Sequence, residues 1–300
     1  MVFRVVDASG WAIAGIETEG LTPHPWLRDP ETSELWLWKH VAPARAHRRE
    51  HWAEKILSEL ARMLQVPVVD VELAVHAHSD GCLSRNVRPH GWTIHAGAEL
   101  ISARESNFDA RAARPVGYVV DTVASVLAGK TRPLMPAGLG LPTDLDAFDV
   151  FVGCLMLDAL VGNGDRHARN WAILRSPDGQ DAISPFFDNA SGLGLDLADD
   201  RRAELLARPS GVQAWVERGK ARAWTSRNGG ALSLLGLLEE AWSSCSPGAR
   251  AFWSKQVRAL EVEAVDLVLG AVPGMSDPTR TFALEVVRVN KGRILNACTS

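Results

Sequence analysis

The chain has 300 residues, of which 46% are apolar and 23% charged, and its formal net charge is −4. Such a length accommodates one large domain or two lobes around a sizeable core, and the slight acidity argues against an unselective binder of nucleic acid. The four cysteines are scattered without a C-x-x-C pair, so neither a zinc cage nor a disulfide framework is indicated, and a reducing, cytoplasmic setting is expected.

The N-terminus, "MVFRVVDASGWAIAG", has an early acidic residue and no apolar core leading to a small-residue cleavage site, so no signal peptide is expected. "ELWLWKHV" (34–41) reads as a strand entered through the turn residues of "RDPETSE". "REHWAEKILSELARML" (49–64) places Trp52, Ile56, Leu60 and Met63 or Leu64 at helical spacing between charged residues. "VPVVDVELAV" and "GCLSRNV" return to a strand pattern, which "RPHGW" breaks.

From residue 98 the character changes. "FDARAARPVGYVVDTVASVLAG" (108–129) and "DLDAFDVFVGCLMLDALVG" (144–162) read as helices joined by a Pro- and Gly-rich segment, and residues 231–296 carry further helical patterns such as "ALSLLGLLEEAW" and "FALEVVRVNKGRIL". The stretch "FVGCLMLDALVG" is too short for a membrane span and contains Asp158, so no membrane association is expected. The expected fold class is α+β: a small β-rich lobe over residues 1–97, with one helix, followed by a larger α-helical lobe over residues 98–300. The tryptophans of "LWLW" and those at 52 and 253 fall at expected core positions rather than in an aromatic ligand cage.

"GNGDRHARNW" (162–171) is denser in chemistry than a connector requires. In the helix before it, Thr143 or Asp144 is the expected N-cap, Phe148, Phe151 or Val152, Leu155 and Ala159 form one apolar face, and Gly162 supplies a left-handed stop. Phosphoryl transfer needs a carboxylate near the acceptor hydroxyl and a neutral oxygen ligand for the metal that screens the triphosphate. The D-x-x-x-x-N spacing of kinase catalytic loops provides both, and Asp165 and Asn170 have it. A second acidic ligand for magnesium stands in "SPFFDNASGLG" as Asp188. Between Asn170 and Asp188, "WAILRSPDGQDAIS" reads as strand, Asp-Gly turn and strand, a hairpin that returns Asp188 to the side of Asn170. Lys39, at the end of "LWLWK", is the candidate cation for the α- and β-phosphates, and Glu54 on the following helix its candidate ion-pair partner, with Glu50 one turn earlier as reserve.

Together, "GNGDRHARNW" and "FDNASGLGLDL" resemble the paired motifs of the HipA-like serine/threonine kinase family, bacterial proteins with a two-lobed protein-kinase-like fold. "WLRDPETSELWLWK", "WAEKILSELARMLQVP" and "FALEVVRVNKGRIL" extend the likeness over most of the chain. The resemblance implies Asp165 as catalytic base, Asn170 and Asp188 as magnesium ligands, Lys39 as the phosphate-binding lysine, Glu54 as its partner, and ATP with Mg²⁺ as cofactors. It also implies His167 as a residue that shapes the loop rather than transferring protons. The chain lacks a G-x-G-x-x-G loop, and the segment in its place, "TEGLTPHPWL", offers Gly20, Thr22 and His24 as phosphate contacts. By the same resemblance the chain is expected to be a short form without the extra N-terminal subdomain of the longer toxin members, for which a toxin–antitoxin role is not implied.

Other readings remain at this stage. "GDRH" matches the G-D-x-H of metallophosphoesterases, but those dinuclear centres need later histidine ligands, and no histidine follows His167. Within kinases the acceptor is a protein hydroxyl or a small molecule; antibiotic-type kinases show H-G-D-x-x-x-x-N, whereas G-N-G-D here favours the protein-directed family. A non-catalytic nucleotide-binding pseudokinase is the reading from a different class. Arg166 and Arg169 either meet an acceptor phosphate or solvate the loop.

Overall fold

A computed structural model describes residues 2–17, 23–41, 48–133 and 139–298 of the chain. Gly20 and Thr22, the two candidate contacts in the phosphate-covering segment, lie outside the described residues. The first half is built on a six-stranded sheet of β1 (Val5–Asp7), β2 (Ala12–Glu17), β3 (His24–Arg28), β4 (Leu35–His40), β5 (Val71–His76) and β6 (Ser79–Arg85), in the order β1-β5-β6-β4-β3-β2. β1 runs parallel to β5 and the other neighbours are antiparallel. The turn before "ELWLWK" forms as its residues dictate: Asp29 accepts from the Glu31 amide and the Thr32 hydroxyl, and the Asp29 amide donates to the Glu34 carbonyl.

One helix, α1 (Glu50–Met63), packs on this sheet. Trp52, Ile56, Leu57 and Leu60 are buried as the helical spacing requires, and burial of this face, not capping, secures the helix, because Arg49 at its start gives no side-chain cap. Glu54 lies on the buried side at 1% exposure, which places a carboxylate beneath the strand that carries Lys39. The connection after α1 then ties the two halves together. The Phe186 amide donates to the Pro67 carbonyl at 2.9 Å, and the Val69 amide to the Phe186 carbonyl at 3.0 Å.

The chain crosses to the second half between residues 86 and 92. There β7 (Thr93–Ala96) joins β8 (Ala172–Arg175) and β9 (Asp181–Ile183) in a three-stranded antiparallel sheet. The β8–β9 hairpin has its turn at Asp178-Gly179, with Gly179 at φ 86. Around this sheet stand α2 (Gly97–Ser102), α3 (Val120–Leu127), α4 (Ala147–Val161), α5 (Asp199–Ala207) and α6 (Gly211–Glu217). A second hairpin, β10 (Lys220–Thr225) and β11 (Ala231–Ser233), precedes α7 (Leu234–Ser244), α8 (Pro247–Ala259), α9 (Val262–Gly270) and α10 (Asp277–Cys298).

Three expectations for this half need correction. The helix expected over 108–129 is confined to Val120–Leu127, because Pro115 and Gly117, at φ 81, break the chain into turns before it. "ALSLLGLLEEAW" is not helical throughout: Ala231–Ser233 is a strand, and the helix starts at Leu234, where the Ser233 hydroxyl caps the Gly236 amide. The N-cap of α4 is Asp146, whose carboxylate accepts from the Asp149 amide at 2.8 Å, in place of Thr143 or Asp144.

α4 is the axis of this half. Every residue from Ala147 to Val161 is buried, so it has no wet face at all, and the single apolar stripe expected for it is a property of the whole surface. Its stop is as expected: Gly162 at φ 77 donates its amide to the Asp158 carbonyl. Close approach fixes its middle, where a methyl group on Gly153 would fall inside the Trp253 indole, which is itself anchored by a 2.8 Å bond to the Asp149 carbonyl.

These contacts predict opposite effects for two glycines. Gly153→Ala overpacks the core and should destabilise the protein by about 1–3 kcal/mol, whereas Gly292→Ala, exposed on α10 with nothing near its Cβ, should stabilise it by about 0.5–1 kcal/mol. Denaturant melts measure both; an unchanged midpoint for Gly153→Ala would contradict the packing.

Candidate active site

Lys39, next to last in β4 and with its side chain 18% exposed, reaches two carboxylates at once. Its Nζ donates to Glu54 Oε1 at 2.5 Å and to Asp188 Oδ1 at 3.1 Å. The first is a residue of the first half, the second of the other, 149 positions along the chain. Burial opposes the charge on Lys39, but the carboxylates of Asp188 and Glu54 outweigh it and hold the ammonium protonated well above the ordinary lysine range. In return the Lys39 charge, against the cost of burial, holds Asp188 below the usual carboxylate value. Glu54 Oε2 accepts from the Asn189 amide at 3.0 Å, so one glutamate anchors both the lysine and the backbone next to Asp188. Glu50, the reserve partner, contacts Arg48 at 3.8 Å instead.

Asp188 itself has φ 57, in the left-handed region that aspartate tolerates better than most side chains, and it is 47% exposed. Its neighbours are held by Arg166, which is buried to 1% exposure. The guanidinium donates to Asp158 Oδ2 at 2.9 Å and Oδ1 at 3.0 Å, to the Asn170 and Phe187 carbonyls at 2.8 and 3.1 Å, and to Asn189 Oδ1 at 2.6 Å. The Arg166 carbonyl accepts from the Tyr118 hydroxyl and the Trp224 indole. Arg166 therefore neither meets an acceptor nor solvates the loop: it is the internal clamp that fastens the 163–170 segment to α4 and to the 187–189 segment. Burial works against its charge, and Asp158 restores it.

Each preceding residue of "GNGDRHARN" also has a part in this clamp. Asn163 donates to Asp158 Oδ1 at 2.7 Å and accepts from the Asp165 amide at 3.1 Å. Gly164 must lack a side chain, since a Cβ there would strike the Lys220 carbonyl of β10, and its own carbonyl accepts from the Arg222 amide at 3.0 Å. G-N-G-D thus has a stop, a bridging amide and a close backbone approach ahead of the aspartate. Asp158, inside the most apolar helix, was recognised only as an obstacle to membrane insertion; an acidic residue in a continuous apolar run was the available sign of a buried partner.

The Asp165 backbone is fixed from both sides: its carbonyl accepts from Asn170 Nδ2 at 2.9 Å and from the His167 amide at 2.8 Å. Its half-buried carboxylate enters no salt bridge among the described residues. Because Asn170 Nδ2 is engaged, the amide presents Oδ1 as its remaining metal-ligating atom. Burial, opposed by the charges of Asp165 and Asp188 and assisted by Arg169, lowers the His167 pKa below the ordinary histidine value. His24, the described member of the three candidate phosphate contacts, opens β3, and burial followed by the charges of Lys39 and His40 lowers its pKa likewise.

The sequence-derived residues thus fall into two linked groups, Lys39, Glu54 and Asp188 in one and Asp165 and Asn170 in the other, with Arg166 joining them. No group of three or more His, Cys, Asp or Glu suited to holding a metal occurs among the described residues. One carboxylate and one amide oxygen are too few for a resident ion, but they fit magnesium that arrives with most of its shell supplied by phosphate oxygens and water. A narrow crevice lined by Asp158, Asn163, Arg166 and Trp224 lies behind the loop and has no room for a water molecule; it belongs to the clamp.

Removing the carboxylate of the clamp leaves a guanidinium buried without its counter-charge. Asp158→Ala should therefore cost about 3–5 kcal/mol of stability, measured by chemical denaturation. A loss below about 1 kcal/mol, as for an exposed pair, would contradict the role given to Arg166.

No protein-family profile matches the sequence, and no curated protein matches it. Solved structures do. The proinflammatory kinase CtkA of Helicobacter pylori superimposes with a TM-score of 0.77 at 14% identity, over 98% of this chain and 97% of that one. HipA of the Shewanella oneidensis MR-1 toxin–antitoxin system, solved with HipB and operator DNA, gives a TM-score of 0.57 at 12% identity, over 95% of this chain and 66% of that one. With its β-sheet N-terminal part, its helical C-terminal part and these structural neighbours, the chain has a HipA-like kinase-type fold.

Proposed function

We propose that the protein is an ATP- and magnesium-dependent kinase that transfers the γ-phosphate to a Ser or Thr hydroxyl of a protein acceptor in the cytoplasm. The observation that carries this reading is Lys39, one ammonium held at 2.5 Å by Glu54 and at 3.1 Å by Asp188. A solvated edge lysine would have no reason to be fixed between two carboxylates from different halves. The kinase-type fold supports the same reading, and the four buried, unpaired cysteines fit a reducing compartment. No helix among the described residues is long and apolar enough to cross a membrane.

In this reading each side chain has one task. Glu54 would orient the Lys39 ammonium toward the nucleotide phosphates, and Asp188 with Asn170 Oδ1 would hold magnesium. Bound Mg-ATP supplies the transferable phosphoryl group and the cation that screens charge between the β- and γ-phosphates. Asp165 receives the proton of the acceptor hydroxyl as the new O–P bond forms and the bond to the ADP oxygen breaks. Because the loop backbone is already fixed by Arg166, Asn163 and Asn170, little reorganisation is needed at the moment of transfer.

The test is incubation with γ-labelled ATP and cell lysate, followed by mass spectrometry of what is labelled. The expected result is phosphoserine or phosphothreonine in protein, reduced roughly 10²- to 10⁴-fold by Asp165→Ala and abolished by Asp188→Ala. Label confined to small molecules would favour the antibiotic-type kinase, and nucleotide binding without any transfer would favour the non-catalytic module. An undiminished rate in Asp165→Ala would refute its assignment as base.

A further inference from the structure

The two residues that flank Asp165 are both tied to one strand. The Arg222 amide donates to the Gly164 carbonyl at 3.0 Å, and the Trp224 indole to the Arg166 carbonyl at 2.8 Å. β10 therefore runs alongside the loop that presents Asp165, and the approach is close. A Cβ on Gly164 would strike the Lys220 carbonyl and would lie 3.7 Å from Arg222 Cγ. The Arg222 side chain thus sets out past the residue that immediately precedes Asp165.

Alternation along β10 decides which of its side chains are free. Ala221, Ala223 and Trp224 are buried, whereas Lys220 and Arg222, two positions apart and hence on one face of the strand, are exposed. Arg218, just after α6, is exposed as well. Among the described residues none of these three cations enters an ion pair or a side-chain hydrogen bond. Arg201, Arg208 and Arg227, also exposed, are each paired with a carboxylate. Nor does the preceding acidic residue neutralise the group, since Glu217 accepts from Gln213 at 2.9 Å. In a chain of net charge −4, three uncompensated positive charges within five residues form a local positive field beside Asp165.

Within the kinase reading of the site, on which this inference rests, we propose that the basic face of β10, Lys220 and Arg222 with Arg218 beside it, selects acceptor segments that carry Asp or Glu close to the phosphorylated Ser or Thr. Carboxylates match the arginine fork in charge and geometry. Three cations on one short stretch suit a few acidic side chains better than the long run of phosphates that a nucleic-acid surface must follow.

The test is phosphorylation of Ser and Thr peptides from a library in which Asp, Ala or Lys is fixed at each position around the acceptor, read beside the sites labelled in lysate proteins. Wild-type protein should favour the best Asp peptide over its Ala counterpart roughly tenfold in kcat/KM, chiefly through KM, the order expected of two exposed ion pairs. The preference should shrink as salt is raised. Lys220→Gln combined with Arg222→Gln should bring the ratio to within about twofold of unity, and Lys220→Glu combined with Arg222→Glu should turn it toward the Lys peptide. Because each ratio is taken within one protein, partial unfolding lowers both peptides alike and leaves it unchanged. Equal use of Asp, Ala and Lys peptides by the wild type, lysate sites without acidic neighbours, or an Asp preference that survives the double Gln variant would overturn the proposal and leave the kinase reading intact. A loss of ATP affinity in that variant as large as its loss of peptide turnover would assign the cations to the nucleotide and overturn it too. So would inhibition by a single-stranded RNA oligonucleotide without any Asp preference. Wild-type protein that labels neither peptide nor lysate protein would overturn the kinase reading itself.

Discussion

The arrangement depends first on a single buried ion pair. Arg166 and Asp158 lie out of water, and such a pair is tolerable only if the remaining hydrogen-bonding capacity is satisfied. Here the surplus N–H groups of the guanidinium go to the Asn170 and Phe187 carbonyls and to Asn189 Oδ1. Satisfying the arginine therefore fixes three points in two separate segments, one at 170 and one at 187–189. Asn170 is one of these points, the other two flank Asp188, and Arg166 itself follows Asp165, so the geometry of the loop follows from the electrostatics of one buried residue. A pair of well-packed apolar residues could give as much stability, but it could not join α4 to both loops with directional bonds.

The second constraint runs between the halves. The Lys39 ammonium is shared by Glu54 and Asp188, and Glu54 in turn holds the Asn189 amide. With the bonds of Phe186 to Pro67 and Val69, these contacts carry the six-stranded sheet and α1 onto the segment that follows the β8–β9 hairpin. The charges explain why Lys39 remains an ammonium despite its burial and why Asp188 remains a carboxylate. Both states are what the proposed Mg-ATP site requires. The superposition on CtkA at 14% identity shows the same fold formed by a very different sequence.

Much of this was legible in the residues. The 3.6-residue spacing of Trp52, Ile56 and Leu60, the Asp-Gly turn before Asp188 and the Gly162 stop are local signals, and each is found where it was expected. What was missed is non-local. Within the loop itself nothing distinguishes a solvated arginine from a buried clamp, because apart from the Asn170 carbonyl the partners of Arg166 lie at 158, 187 and 189. The need for Gly164 depends on the Lys220 carbonyl, and a short strand such as Ala231–Ser233 is recognisable only from the β10 partner that pairs with it. Capping by Asp146 over Thr143 or Asp144 was a choice among three neighbouring polar side chains that local chemistry ranks almost equally.

The central claim is that Lys39 and Asp188 converge to receive a metal-bound triphosphate. Its most direct measurement is ATP affinity as a function of magnesium in the wild-type protein and in Lys39→Met. The account predicts binding that strengthens with magnesium and falls at least roughly tenfold when the ammonium is replaced by an apolar chain of similar length, the loss of a charged contact. ATP affinity that is indifferent to both magnesium and Lys39 would contradict it.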